Sequence, residues 1–256
     1  MLSARRGCPT PGSPTSLGRA EVRRGPSGPS VVVVIERAIA EVWSPAEALH
    51  SWDPPDEAVL TVCRCRPTVP AAVLGSRQGD TLLDPLALER AGVGLVRRNS
   101  GGGLVLVDDA LAIWVDVWIP NRPGSVAADV RASMDVVGRA WVAALSSQDE
   151  SLAERLDVHR GGVTRGEWAD LVCFAGLGPG EVLLDGLKLV GLSQRRSRDW
   201  CRVQCQVHTA DTDPFPLQLL ATAARPDGAG PPAIAWLPRA TVEAALAGLP
   251  TTLLAD

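Results

Sequence analysis

An α+β fold, with a mostly antiparallel central sheet flanked by helices, is what this sequence predicts. Three observations carry the prediction. Apolar, β-prone segments come in clusters, without the regular alternation with helices that βαβ units require. One long stretch, residues 125–147, keeps the 3–4 spacing of a buried helical face. Asp185-Gly186 sits between two apolar runs, a pair that favours the type I′ turn of a β-hairpin.

Residues 1–30 are rich in Pro, Gly, Ser and Arg, with five arginines, one glutamate and no hydrophobic period. Such a segment cannot bury enough apolar surface to offset chain entropy, so it is expected to be a disordered tail. A single domain is expected over 31–256. Residues 58–73 read as two strands around a turn at Pro67 and Pro70, followed by a polar loop over 75–80. Residues 84–91 predict a helix with Asp84 as N-cap, Pro85 in the first turn and Gly92 at its end. Strands are expected at 93–97, 104–107 and 111–119, the last two joined by a turn at Asp108-Asp109. Within 125–147, Val126, Val130, Met134, Val137, Trp141 and Leu145 form the buried face, and Ser125 is the expected N-cap. A short strand or strand end is expected at 171–174, the hairpin strands at 181–184 and 187–194, and a further strand at 202–207. The last forty residues are expected to hold one or two helices, the clearer at 241–247.

Composition narrows the function. With 46% hydrophobic and 21% charged residues the chain is that of an ordinary globular protein. No apolar run approaches ~18 residues, so no membrane span is expected. Beyond the tail the chain holds 20 basic and 28 acidic residues, which argues against nonspecific nucleic-acid binding. Six cysteines without an export signal fit reduced thiols in a cytoplasmic protein. Even spacing puts Cys63 with Cys65, and Cys201 with Cys205, on one strand face each. His208 nearby raises a metal site, but no CxxC repeat accompanies it and the chain has three histidines. Buried apolar fillers are the preferred reading, and no metal is expected.

Three features carry chemistry. Lys188 is the only lysine, against 24 arginines. Codon drift would explain it, and so would a need for one compact ammonium that arginine cannot replace. In Arg97-Arg98-Asn99-Ser100-Gly101-Gly102-Gly103, successive glycines let a ligand approach main-chain N–H groups, which bind carboxylates, phosphates or developing oxyanions. The plainer alternative is a glycine-rich hairpin with surface arginines. It is neither a Walker loop, since no Gly-Lys-Ser/Thr follows, nor a dinucleotide fingerprint opening a helix. Cys173 ends an apolar stretch just before the loop at 175–180. It reads either as a buried structural cysteine or as a nucleophile activated by nearby cations.

Taken together these segments resemble the superfamily of biotin and lipoate protein ligases and octanoyl/lipoyl transferases. The glycine loop matches its Arg-Arg-x-Ser/Thr-Gly-Gly pattern. Gly186-Leu187-Lys188-Leu189-Val190-Gly191-Leu192-Ser193-Gln194 matches its Gly-x-Lys-x-x-Gly-x-Ala/Ser-Gln strand. Val73-Leu74-Gly75-Ser76-Arg77-Gln78 is similar to its earlier strand ending in Gly-x-x-Gln, and the resemblance spans roughly 58–207. It implies a catalytic domain of the class II aminoacyl-tRNA-synthetase-like type.

Two branches differ in how the acyl group is activated. ATP-dependent lipoate ligases typically carry Arg-Asn-Asp before the lysine and Gly-Asn after the glycine loop, where this chain has Asp108-Asp109-Ala110-Leu111. Cysteine-dependent transferases carry Cys-Phe with Glu and Gly ahead of the lysine, a pattern that Cys173-Phe174, Glu181 and Gly186 reproduce. The resemblance therefore implies transfer of an octanoyl or lipoyl group through a Cys173 thioester, with Lys188 stabilising the tetrahedral oxyanion. It implies substrate contacts from Gln78, Arg97, Arg98, Ser100, Gly101, Gly102, Gly103, Gly191 and Gln194. No cofactor is implied for a transferase; ATP and Mg would be needed by a ligase. The implied donor is an acyl-carrier or lipoyl-carrier protein. The implied acceptor is the lipoyl domain of a 2-oxoacid dehydrogenase E2 component, or a glycine-cleavage H-type carrier. Val107 replaces a histidine common in the family, and Cys205 stands where Gln-His-Gly is usual. The alternatives are an ATP-dependent ligase and a non-catalytic acyl-binding homologue.

Overall fold

The computed structural model describes residues 40–53, 59–164, 166–210, 217–228 and 230–255, so the tail expected at 1–30 lies outside the described residues. In chain order come β1 (Ala40–Ser44), α1 (Ala46–Ser51), β2 (Thr61–Pro67), β3 (Ala71–Leu74), α2 (Pro85–Ala91), β4 (Gly94–Arg97), β5 (Val105–Val107) and β6 (Ala112–Pro120). These are followed by α3 (Val130–Ser146), β7 (Leu156–Val158), α4 (Glu167–Leu171), β8 (Val182–Leu184), β9 (Leu187–Arg196), β10 (Trp200–His208) and α5 (Arg239–Ala255). A large sheet runs β1-β2-β6-β10-β9-β8-β7, antiparallel except for the β1–β2 pair. A small sheet runs β4-β3-β5. The α+β class with a mostly antiparallel sheet is therefore what the chain adopts. No helix among the described residues is long and apolar enough to cross a membrane.

The centre of the large sheet is covered on both faces, and the period of two shows how. Ile113, Val115, Val117 and Ile119 of β6, with Cys201, Val203, Cys205 and Val207 of β10, share one core with α3 and α5. The alternate residues Trp114 and Trp118 turn the other way, toward the small sheet and α1. Asp116 and Arg202 share that second face, 0% and 1% exposed, and pair there. Trp52 Nε1 (3.2 Å) and Trp114 Nε1 (2.9 Å) also donate to Asp116. A charge this dry persists because its lone pairs are met.

The hairpin turn is of the expected kind: Asp185 (φ 52°) and Gly186 (φ 80°) both take the left-handed conformation that type I′ demands. Asp84 caps α2 through Leu86 N–H at 2.9 Å, and Gly92 closes the helix at φ 63°. Other expectations need correcting. Ser125 caps only a single 3-10 turn (Val126–Ala128), and Asp129 caps α3, accepting from Arg131 and Ala132 N–H. Two good capping residues stand four apart, and the chain bends at the second. Residues 171–174 are not a strand: α4 ends at Leu171 and a 3-10 turn takes Cys173–Ala175, leaving one bridge between Leu104 and Val172. The C-terminal helix is longer than expected, continuing through Pro250.

Candidate active site

The site begins where β4 leaves the small sheet. Arg98 turns inward, 5% exposed, and its Nη2 donates to the carbonyls of Gly101 and Gly103 at 3.0 Å each, holding the glycine loop from inside. Gly102 takes φ 100° at the apex. At Gly103 a Cβ would fall 2.7 Å from the Val172 carbonyl carbon, so only glycine lets the two backbones meet. Two hydrogen bonds fix that meeting: Leu104 N–H to Leu171 O (2.7 Å) and Cys173 N–H to Leu104 O (2.8 Å). Cys173 is thereby carried to the loop, half-buried, at the start of its 3-10 turn. The main-chain N–H groups of Gly101, Gly102 and Gly103 donate to nothing among the described residues.

Lys188 reaches the same turn from β9. Its side chain is 4% exposed, and Nζ has three acceptors: Glu181 Oε1 (2.8 Å), Cys173 O (2.9 Å) and Gly176 O (2.9 Å). The ammonium also lies 4.9 Å from the centre of the Phe174 ring. That ring packs edge-on against His208 at 4.4 Å. Gly191 makes room for it, since a Cβ there would fall 2.8 Å from Phe174 Cζ. Lysine thus fits a slot shaped for one compact cation with three donors.

Two cavities meet at Cys173. The outer one, about 530 Å³, is lined by the glycine loop, Gln78, Arg98, Ser100, Cys173, Lys188 and Gln194, among others. A narrow inner pocket of about 40 Å³ runs between Val105, Val107, Trp114, Phe174, Gly191 and Cys205. Arg98, Cys173, Leu192 and Ser193 belong to both walls, so the thiol stands at the neck.

The structure brings ten of the eleven expected site residues to these walls: Gln78, Arg98, Ser100, Gly101, Gly102, Gly103, Cys173, Lys188, Gly191 and Gln194. Arg97 lies elsewhere. It turns away from the cavity, pairs with Asp80 and donates to the Gly75 and Gln78 carbonyls. Gln78 lines the wall but is engaged there, donating to Leu171 O at 2.8 Å and accepting from Gly75 N–H at 3.1 Å. Gln194 Nε2 donates to Ser133 Oγ and to Cys201 Sγ.

Sequence reading missed His50, Trp114 and Gln204 on the inner pocket. Trp114 and His50 pack with ring centres 4.6 Å apart, and Gln204 Nε2 lies 3.3 Å from His50 Nδ1. Burial, helped by the Arg202 and Arg98 charges, pushes His50 down to about 3. Burial and then Lys188 push His208 down to about 4. Both rings are neutral at physiological pH and poor proton acceptors. Among the described residues the other thiols are inert packing: burial drives Cys63 and Cys205 up to about 12, and Cys65 and Cys201 upward as well.

Comparison with known proteins bears on the fold and the family. No curated protein matches the sequence. A structure of lipoate-protein ligase A bound with ATP superposes with a TM-score of 0.60 at 16% identity, covering 84% of this chain and 85% of that one. A bi-partite lipoate protein ligase from Thermoplasma acidophilum, described with its E2 lipoyl domain, gives 0.55 at 16% identity, covering 85% and 83%. At such identities these likenesses concern the fold. Residues 38–225, well over half of the sequence, match the family described as the lipoyl protein ligase A/B catalytic domain, and the chain belongs to that family.

Proposed function

We propose that this member of the family moves an octanoyl or lipoyl group from a carrier thioester to a lysine of a lipoyl domain, through a thioester on Cys173. The observation that carries the reading is the place of Cys173: a half-buried thiol at the neck of two cavities, beside three unengaged glycine-loop amides. The Cys173 thiolate attacks the donor's acyl carbonyl, and the amides receive the oxyanion. The intermediate collapses by expelling the donor thiolate, which leaves as the thiol. One thioester replaces another, so the step is close to isoenergetic. The neutral amine of the acceptor lysine then attacks the Cys173 thioester. An amide forms, the C–S bond breaks to release Cys173 as a thiolate, and the proton lost by the amine passes to solvent. Neither nearby imidazole is basic enough to act as the thiol's base, so none is given that role. The oxyanion role that the resemblance implies for Lys188 passes to the amides, because Glu181, Cys173 O and Gly176 O take its three protons, and Lys188 holds the Cys173 turn instead.

ATP and Mg, which a ligase would use, fit these residues poorly. Lys188 already has three acceptors, and Arg98 Nη2 bonds two loop carbonyls. Glu181, one of the carboxylates on the cavity wall, is saturated by Lys188 and by two amides, Gly178 N–H and Leu192 N–H. No step is routed through a nucleotide.

Intact-protein mass spectrometry after incubation with octanoyl-carrier or lipoyl-carrier thioesters tests the proposal. One hydroxylamine-labile adduct on the wild type and none on Cys173→Ala is the expected result. Wild-type transfer by Cys173→Ala, dependent on ATP and Mg, would install the ligase reading. Binding without turnover in any condition would leave a non-catalytic homologue.

A further inference from the structure

The carboxylate of Glu181, at the start of the hairpin, is the least exposed acid facing the outer cavity. Its side chain is 4% exposed. Oε1 accepts from Lys188 Nζ at 2.8 Å and from Leu192 N–H at 3.1 Å, and Oε2 accepts from Gly178 N–H at 2.7 Å. The remaining protons of the same ammonium go to Cys173 O and Gly176 O. One acid therefore touches β9 twice, at Lys188 and Leu192, and the loop after Cys173 once, at Gly178. One base closes the circuit onto Cys173 itself. No other charged side chain bonds either member among the described residues.

We infer that Glu181 is a positioning residue for acyl transfer: it locks the Lys188 ammonium onto the carbonyl of Cys173, and so presents the thiol to the glycine-loop amides. Without the carboxylate, Lys188 would be a buried cation with two neutral acceptors, and such a charge moves toward water when it can. The turn at 173–176 would lose its staple, and the thiol its alignment. This inference rests on the thioester reading for its link to chemistry. Its physical core, a fixed ammonium held by Glu181, does not.

The sole lysine supplies a direct readout. Protein labelled with ¹⁵N-lysine has one side-chain ammonium, and exposed amines exchange with water too fast to give a persistent signal. The wild type is expected to show one protected resonance. Glu181→Gln is expected to lose it, and to lower kcat for acylation by an octanoyl thioester between ~10- and ~100-fold with KM little changed. Glu181→Asp, which keeps the charge on a shorter arm, is expected to recover part of both. An unprotected wild-type ammonium would overturn the inference without any variant having to fold. A Glu181→Gln protein with the wild-type resonance, or with wild-type kcat, would overturn it equally. A protected resonance in a protein that forms no Cys173 adduct would sink the thioester reading and leave the hold of Glu181 on Lys188 standing.

Discussion

The two neutral imidazoles beside the site make the stability of this protein steeply acid-sensitive, by an amount that can be worked out. His50 ionises at about 3 and His208 at about 4 in the folded chain. In the unfolded chain both return to the ordinary value of about 6.5. A depressed folded pKa stabilises the fold fully above the unfolded value and progressively less below it, because the unfolded chain then takes up protons that the fold refuses. Between roughly pH 6 and pH 4.5 two such groups give a slope of roughly 2 kcal/mol per pH unit. From pH 7.5 to 5 the loss is about 4 kcal/mol, a large part of a typical net stability of about 5–15 kcal/mol. The assay is urea unfolding at constant ionic strength across that range. With an m-value of about 2 kcal/mol/M, the midpoint is expected to fall by about 2 M. Both histidines changed to glutamine should flatten most of the slope, whatever the variant's absolute stability. A midpoint that stays put between pH 7.5 and 5, or a slope unchanged in the double variant, would refute the reasoning.

Other outcomes follow from the same geometry. Lys188→Arg should lose ~10- to ~100-fold of its transfer rate, read in a carrier-to-lipoyl-domain assay, because a planar fork cannot replace three convergent ammonium donors and the Cys173 turn loses its alignment. Normal folding would be expected of this variant from the hairpin alone. The packed slot revises that: Lys188 Cε lies 3.3 Å from where a Gly191 Cβ would sit. A destabilisation of about 1–3 kcal/mol should therefore appear in its melting curve. Gly102→Ala would put its Cβ 2.6 Å from Arg98 Nη2 at φ 100°, costing about 1–3 kcal/mol of stability by urea titration and abolishing adduct formation. Removing residues 1–30 should leave both melting temperature and transfer rate unchanged.

Much of this site could be read from residue order alone, for physical reasons that differ from case to case. Asp185-Gly186 specifies its turn locally, and the turn fixes the register that points Lys188 inward. The glycine loop was visible because close backbone contact leaves no other residue type possible at Gly103. Arg97 and Arg98 read as one unit in the motif, although neighbours at a strand end face opposite sides. That period alone would have sent one of them out of the pocket. His50 was missed with its helix, which is six residues long and has no side-chain N-cap to announce it. The burial of Asp116 and Arg202 is tertiary: a sheet covered on both faces hides charges that strand alternation reads as surface. The engagement of all three Lys188 protons is tertiary too, since two acceptors are the carbonyls of Cys173, which sequence placed in a short strand or strand end, and of Gly176, in the loop that follows.

The central claim is that Cys173 carries the acyl group between donor and acceptor. Acyl-enzyme prepared from an octanoyl thioester, freed of donor and of nucleotide, can be mixed with a lipoyl domain and followed by mass in a single turnover. The account predicts that octanoyl leaves Cys173 and appears as an amide on one acceptor lysine, at equal rates and without ATP. An acyl-enzyme that persists while the lipoyl domain stays unmodified, until ATP and free acid are supplied, would contradict it.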